Sequence, residues 1–188
     1  GIEDLMKNIG RVDYLFYLQS EFLLENESFT SKDFLEESNN LNLCLQVAQK
    51  YRSKFSLISS IFLNEKLSHT ENSKPTTYSA IELQKYSETL TAEYHDKSKI
   101  NVRILRIGTI LGKESNIEKF KSLNQLFEDS VTNEAINIAG EGLDVHYLIH
   151  LSDLLFGILK LTFSTKTNGE VISLCNNNDY TTLSIAYK

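Results

Sequence analysis

Apolar residues in this chain gather in compact runs separated by longer amphipathic stretches, and that alternation sets the fold class. The run from Val12 through Tyr14 and Phe16 to Leu18 suits a strand buried on both faces. A helix is predicted from Ser31, taken as its N-cap, to Tyr51, with Phe34, Leu35, Leu41, Leu45 and Ala48 on the inner side. A second apolar strand spans residues 54–63 and contains the hydroxyl pair Ser59-Ser60. A long helix over residues 77–97 then leads to a third strand over residues 101–107. Strand, helix, strand, helix, strand predicts an α/β fold with a parallel sheet and crossover helices.

Beyond Gly112 the rhythm changes. The pattern predicts a helix near residues 116–129, a strand near 135–138, a strand-like stretch over 145–151, a helix over 153–163 and a last strand over 170–174. The expected organisation is a sheet-bearing part over residues 1–112 and a smaller part over 113–188, packed on one core. In open sheets of this kind ligands sit beyond the carboxyl ends of the strands. Gln19-Ser20, Ser59-Ser60 and the stretch from Ile107 to Gly112 are therefore expected to line one crevice.

Charge narrows the partners. A net charge of −6 and a pI near 5.3 argue against nucleic-acid binding, which needs clustered Lys and Arg. No apolar run approaches the roughly 20 residues of a membrane-spanning helix, so a chain outside the membrane is expected. Cys44 and Cys175 have no metal or disulfide spacing and read as small apolar groups, which suits a reducing compartment such as the cytoplasm.

Four segments, in order, resemble the NAD-dependent epimerase/dehydratase family, the extended short-chain dehydrogenases that act on nucleotide sugars. Residues 13–18 look like its "D-x-V-x-H-L-A" strand, and residues 55–60 like its "F-V-x-x-S-S" strand. Residues 105–112 resemble "L-R-x-x-x-V-Y-G". Gly140-Glu141-Gly142 followed by Ile149-His150-Leu151-Ser152-Asp153-Leu154 resembles "G-x-G … F-I-H-V-x-D-V". The resemblance implies a Rossmann-like sheet, NAD or NADP as cofactor and a nucleotide-sugar ligand. It assigns Gln19 and Ser59 to the cofactor side, and His146, Ile107 and Thr109 to the substrate side.

Family chemistry also needs groups that this chain does not offer. The dinucleotide pyrophosphate rests on a glycine-rich turn before a helix, and none of the eight glycines forms one. Gly140-Glu141-Gly142 precedes a strand pattern and reads as a turn. By resemblance, residue 1 falls where the family's first strands have already passed, so the sequence looks like the later part of a longer protein or one that has lost its cofactor half. Proton exchange with nicotinamide uses a Tyr and a Lys four residues later on one helical face, helped by a strand-end hydroxyl. Ser60 fills the hydroxyl position. Counting back from Leu105-Arg106, with Glu88 and Tyr94 as further markers, puts Ala80 and Gln84 at the other two. Tyr78 and Lys85 flank them, but they are seven apart and could serve only through a register shift or a local bulge. Where nucleotide-sugar enzymes carry an Arg for the diphosphate, this chain has His146.

His146 and His150, four apart on a strand-like segment, would share a face. With no Cys or third His beside them they are not read as a metal site. Tyr78, Tyr86 and Tyr94 recur every eight residues, as a packing stripe on one helix would, and in the family that helix builds a dimer. The reading is therefore an epimerase/dehydratase-like domain that lacks Tyr/Lys catalysis and acts as a binding or scaffolding unit. Two alternatives stay open: an active enzyme whose cofactor half lies outside this sequence, and a structural subunit of a larger assembly.

Overall fold

The computed structural model describes residues 11–18, 29–61, 77–111, 121–132, 135–138 and 140–187. The chain divides into two compact units, Gly1–Arg106 with Ile158–Ser173, and Ile107–Gly157 with Leu174–Lys188.

The first unit carries the alternation read from the sequence. β1 (Tyr14–Leu18) is followed by β2 (Phe29–Thr30), α1 (Ser31–Tyr51), β3 (Lys54–Ser60), β4 (Thr77–Tyr78), α2 (Ala80–Ser98) and β5 (Asn101–Ile107). Together with β9 (Val171–Leu174), three of these strands make a sheet in the order β1-β3-β5-β9. β1 and β3 are parallel, Tyr14 opposite Lys54 and Leu18 opposite Ile58. Between β5 and the stretch leading into β9, Ile104 N donates to Glu170 O at 3.0 Å. The expected α/β fold with a parallel sheet and crossover helices is what forms.

The core lies between this sheet and the helices. Leu41, Cys44, Leu45 and Ala48 of α1 recur at helical spacing and meet Phe55 and Leu57 of β3, Val102 and Ile104 of β5, and Tyr17 of β1. β3 and β5 are buried along most of their length, as an unbroken apolar run in a central strand requires. Tyr94 on α2 donates its hydroxyl to Asn42 Oδ1 at 2.7 Å, and Phe34 meets the Tyr86 ring at 5.4 Å, so the two helices hold each other.

Several expectations are corrected. Among the described residues β1 is the outermost strand of the sheet, and only Tyr17 of it is buried, while Leu18 is 68% exposed. The N-cap of α1 is Thr30, one residue before Ser31. Its hydroxyl accepts from Asp33 N while the Asp33 carboxylate takes Thr30 N at 3.1 Å, a reciprocal box that Ser31, with Phe34 three residues on, could not form. Leu35 turns to solvent. Residues 77–78, predicted as the start of the second helix, lie outside α2, because Thr77 and Tyr78 pair with Thr30 and Phe29 as an antiparallel ladder and Ser79 caps α2. Tyr78 therefore does not share a helical stripe with Tyr86 and Tyr94.

The second unit contains β6 (Thr109–Leu111), α3 (Lys121–Thr132), β7 (Val145–His146), β8 (Leu148–His150), the first turns of α4 (Leu151–Phe163), β10 (Tyr180–Thr181) and α5 (Thr182–Ala186). The predicted start of α3 near residue 116 lies outside the described residues, and α4 begins earlier than predicted. Residues 135–138 form no strand; the Asn137 amide goes to the buried Asp129 carboxylate at 3.0 Å instead of to a ladder. The strand-like stretch over 145–151 splits at Tyr147, whose carbonyl accepts from Thr109 N at 2.7 Å. Sequence reasoning did not anticipate β10 and α5.

Candidate functional site

The strand-end residues of the first unit sit on β3 and at the start of α2. Ser59 is 5% exposed, and its hydroxyl finds no partner among the described residues. Ser60, the last residue of β3, is half-buried. Gln19 and Ser20 lie outside the described residues. α2 is continuous over 19 residues, opened by a Ser79–Glu82 capping box and closed by Lys99 in the left-handed conformation. Ala80 is its first residue and Gln84 is one turn on, both half-buried. Lys85 is exposed. Tyr78 precedes the cap, its backbone committed to Phe29. Within the helix there is no bulge that would bring a phenol or an amine into register.

Further along α2, Glu88 and Arg106 form a two-pronged ion pair, Nε to Oε1 at 3.0 Å and Nη2 to Oε2 at 2.7 Å. Both side chains are largely withdrawn from water, so the pair fixes α2 against β5 with a directional contact that apolar packing cannot provide.

In the second unit, β6 runs parallel to β8 with Thr109 opposite Leu148 and Leu111 opposite His150. Thr109 is 2% exposed, and its hydroxyl is without a partner among the described residues. Gly108 allows the chain to pass close to its neighbour: a Cβ there would stand 1.9 Å from Tyr147 O. Ile107 is half-buried at the end of β5. Gly140 and Gly142 have φ of 63° and 66°, and Gly142 O accepts from Leu183 N at 2.9 Å, so this G-x-G forms a turn tied to α5.

His146 lies buried at the end of β7, opposite Tyr180 of β10, with Nε2 at 2.9 Å from Thr182 Oγ1. His150 is exposed and exchanges contacts with Ser152 at the start of α4. One histidine is inside and the other outside, so the expectation that they share a face is not met. Among the described residues no group of three His, Cys, Asp or Glu could hold a metal ion. An open cleft of about 500 Å³ has Leu111, Leu148 and Ile149 on its apolar side and His150, Asp153 and Asn176 on its polar side. The Thr182 partner of His146 was missed from sequence, although Thr181-Thr182-Leu183-Ser184 carries a Thr N-cap signal before a short helix.

Burial holds the His146 imidazole below its ordinary pKa, with Asp144 pulling weakly the other way. A histidine with a lowered folded pKa stabilises the fold in its neutral form. That contribution is complete above pH ~6.5, the unfolded value, and is lost as pH falls below it. Chemical denaturation at pH 7.5 and 5.5 is expected to show this loss in the parent and a smaller one in His146→Gln.

No family model matches the chain. Among curated proteins it is similar to UDP-glucuronic acid decarboxylase 6 of Arabidopsis thaliana, 25% identical over 103 residues, which is 55% of this chain and 29% of that protein. UDP-glucuronic acid decarboxylase 4 of the same plant is 27% identical, matching 53% of this chain and 22% of its own length. Among solved structures, a dTDP-glucose 4,6-dehydratase from Bacillus anthracis in complex with NAD matches 99% of this chain and 58% of its own, at 16% identity and a TM-score of 0.72. A UDP-N-acetylglucosamine 4-epimerase from Methanobrevibacter ruminantium matches 98% of this chain and 61% of its own, at 14% identity and a TM-score of 0.73. The chain thus shares its fold with solved nucleotide-sugar dehydratases and epimerases and is similar over half its length to UDP-glucuronic acid decarboxylases. It spans about three-fifths of the solved epimerase/dehydratase chains and under a third of the curated decarboxylases. Among the described residues no helix is long and apolar enough to cross a membrane.

Proposed function

We propose that this chain is the nucleotide-sugar-binding part of an epimerase/dehydratase-like protein and that it does not run the family's Tyr/Lys proton exchange. The observation that carries the reading is α2, unbroken from Ala80 to Ser98 and pinned to β5 by Glu88 and Arg106. In that register a methyl and an amide stand where a phenol and an amine are needed, and neither exchanges a proton near neutral pH. Thr109, with its buried hydroxyl, and His146 are the ligand-facing residues on this reading, joined by Ile107. An imidazole gives a phosphate one hydrogen bond where a guanidinium would give two.

The described residues do not by themselves fit a dinucleotide. A pyrophosphate needs free amides at a helix N-terminus, but Asp33 and Glu82 place carboxylates on the first amides of α1 and α2, and Asp153 stands in the first turn of α4. Solved neighbours are in complex with NAD; in this protein we assign no step to it, and Ser59 is the described residue proposed to face it. Self-association through α2, where Tyr86 is 41% exposed, belongs to the same proposal.

Thermal-shift titration with UDP-glucuronic acid, dTDP-glucose and NAD tests the reading. A saturable rise in Tm with a sugar nucleotide, no product and no rise with NAD alone is expected. Turnover that disappears in Tyr78→Phe or Lys85→Ala would overturn it in favour of a working enzyme.

A further inference from the structure

In the parallel sheet of the first unit each crossover helix ends beside the start of the next strand, so α1 and α2 bring their C-terminal ends to one edge, in front of β3 and β5. Helix C-termini favour cations. Arg52 and Lys99 hold the left-handed C-cap positions, where their backbone amides already bond Ala48 O and His95 O. Their side chains, like that of Lys166, stay exposed and form no ion pair among the described residues. The neighbouring strand starts stand alongside: Lys54 N donates to Asp13 O at 2.8 Å, and Val102 N donates at 3.1 Å to Asn168 Oδ1, two residues past Lys166. The starts of β1, β3, β5 and β9 thus share one edge about 15 Å across. Of the carboxylates along it, Arg11 takes Asp13 at 2.8 Å and Lys97 takes Glu93 at 3.1 Å. Asp96 and Glu170 are left against Lys50, Arg52, Lys54, Lys99 and Lys166, which makes this edge a basic strip on a chain whose net charge is −6.

The opposite charge is concentrated in the second unit. Residues 107–157 and 174–188 hold nine Asp and Glu, four Lys and no Arg. Among the described residues of that unit Lys121 is the one Lys or Arg. Glu141 and Asp144 are exposed on the turn shaped by Gly140 and Gly142, and Asp179 is exposed just before β10. The β7–β10 ladder holds these carboxylates on one small frame, with Thr182 N on Asp144 O at 3.1 Å and Tyr180 opposite His146.

We propose that copies of this chain associate head to tail, the basic sheet edge of one copy seated on the acidic β7–β10 face of the next. Each surface is short of counter-charge within its own unit, and each finds it on a second copy. Complementary charge of this kind speeds encounter and decides which surfaces meet. The contact is heterologous: every copy keeps one unused edge or face, so assembly runs past a dimer unless the rotation closes a ring. It uses neither α2 nor Tyr86, and it requires no ligand.

The test is sedimentation of the purified protein in about 0.02 M and about 0.5 M NaCl, because salt screens exposed charges. The expected results are an average mass at least twice that of the protomer at low salt and an association at least ~10-fold weaker at high salt. Two triple variants locate the contact. Arg52→Glu with Lys99→Glu and Lys166→Glu makes the edge acidic; Glu141→Lys with Asp144→Lys and Asp179→Lys makes the face basic. Each alone is expected to sediment as a protomer, and an equimolar mixture of the two is expected to associate as the parent does. Should a reversal cost the fold, read by circular dichroism, Arg52→Gln with Lys99→Gln and Lys166→Gln replaces it, with association at least ~10-fold weaker expected. A parent that stays a protomer at low salt, reversed variants that associate alone as the parent does, or folded variants that stay apart when mixed overturn the proposal. A protomer that is instead retained on heparin through Arg52, Lys99 and Lys166 overturns it in favour of a polyanionic partner.

Discussion

A Gly108→Ala variant is expected to lose at least ~3 kcal/mol of stability, read as a lower midpoint in urea, because the added methyl has no direction in which to relax. Its Cβ would stand 1.9 Å from Tyr147 O and 3.1 Å from Cys175 Cβ. The Tyr147 carbonyl is itself fixed by the Thr109 amide at 2.7 Å, and Gly108 N is held by Leu174 O at 3.1 Å. Relief must therefore break the joint between β6 and β8 that presents Thr109. Gly140→Ala is the control: nothing lies within 4 Å of its Cβ, and only the left-handed backbone at φ 63° is strained, a cost of about 1–2 kcal/mol. Equal effects for the two variants would show that the close approach at Gly108 is not what the site depends on.

The parts of the fold that were legible in the sequence are those where one physical signal dominates. β3 and β5 announce themselves because a central strand must be apolar on both faces, and α1 because Leu41, Cys44, Leu45 and Ala48 repeat at helical spacing. β1 has the same apolar composition and is the outermost strand among the described residues, a difference that lies in which strands neighbour it and that no local pattern encodes. The start of α2 was misread for a related reason. Thr77 and Tyr78 extend the helical tyrosine spacing, but their backbone is taken by Phe29 and Thr30, nearly fifty residues earlier in the chain. Residues 135–138 alternate like a strand, and a buried carboxylate at Asp129 captures the amide that a ladder would need. At the candidate site, the expectation for Ala80, Gln84, Ser60 and His146 comes from register alone. The Thr182 contact of His146 and the enclosure of Thr109 depend on chain segments that meet only after folding.

Glu88→Ala is the second variant expected to have a large effect, about 2–3 kcal/mol, and it tests the register on which the functional reading rests. The carboxylate is 11% exposed and takes both prongs of an Arg106 side chain that is itself only 26% exposed. Removing it strands a guanidinium with too little water to replace the lost acceptors, so the penalty is mainly that of an unpaired, partly buried charge. Glu88→Gln keeps one acceptor oxygen and should cost less. Replacing Glu88 and Arg106 together by methionine removes both charges and should recover most of the loss, because a desolvated pair and a well-packed apolar pair are close in free energy. The informative readout is hydrogen exchange along α2. If Glu88 sets the register, the Glu82 and Leu83 amides, which bond to Ser79, lose protection in Glu88→Ala beyond what the fall in global stability accounts for, and regain it in the double variant. Uniform loss along the whole helix would mean that Leu83 and the α1 contacts hold α2 in place, and the argument from Ala80 and Gln84 would then need another anchor.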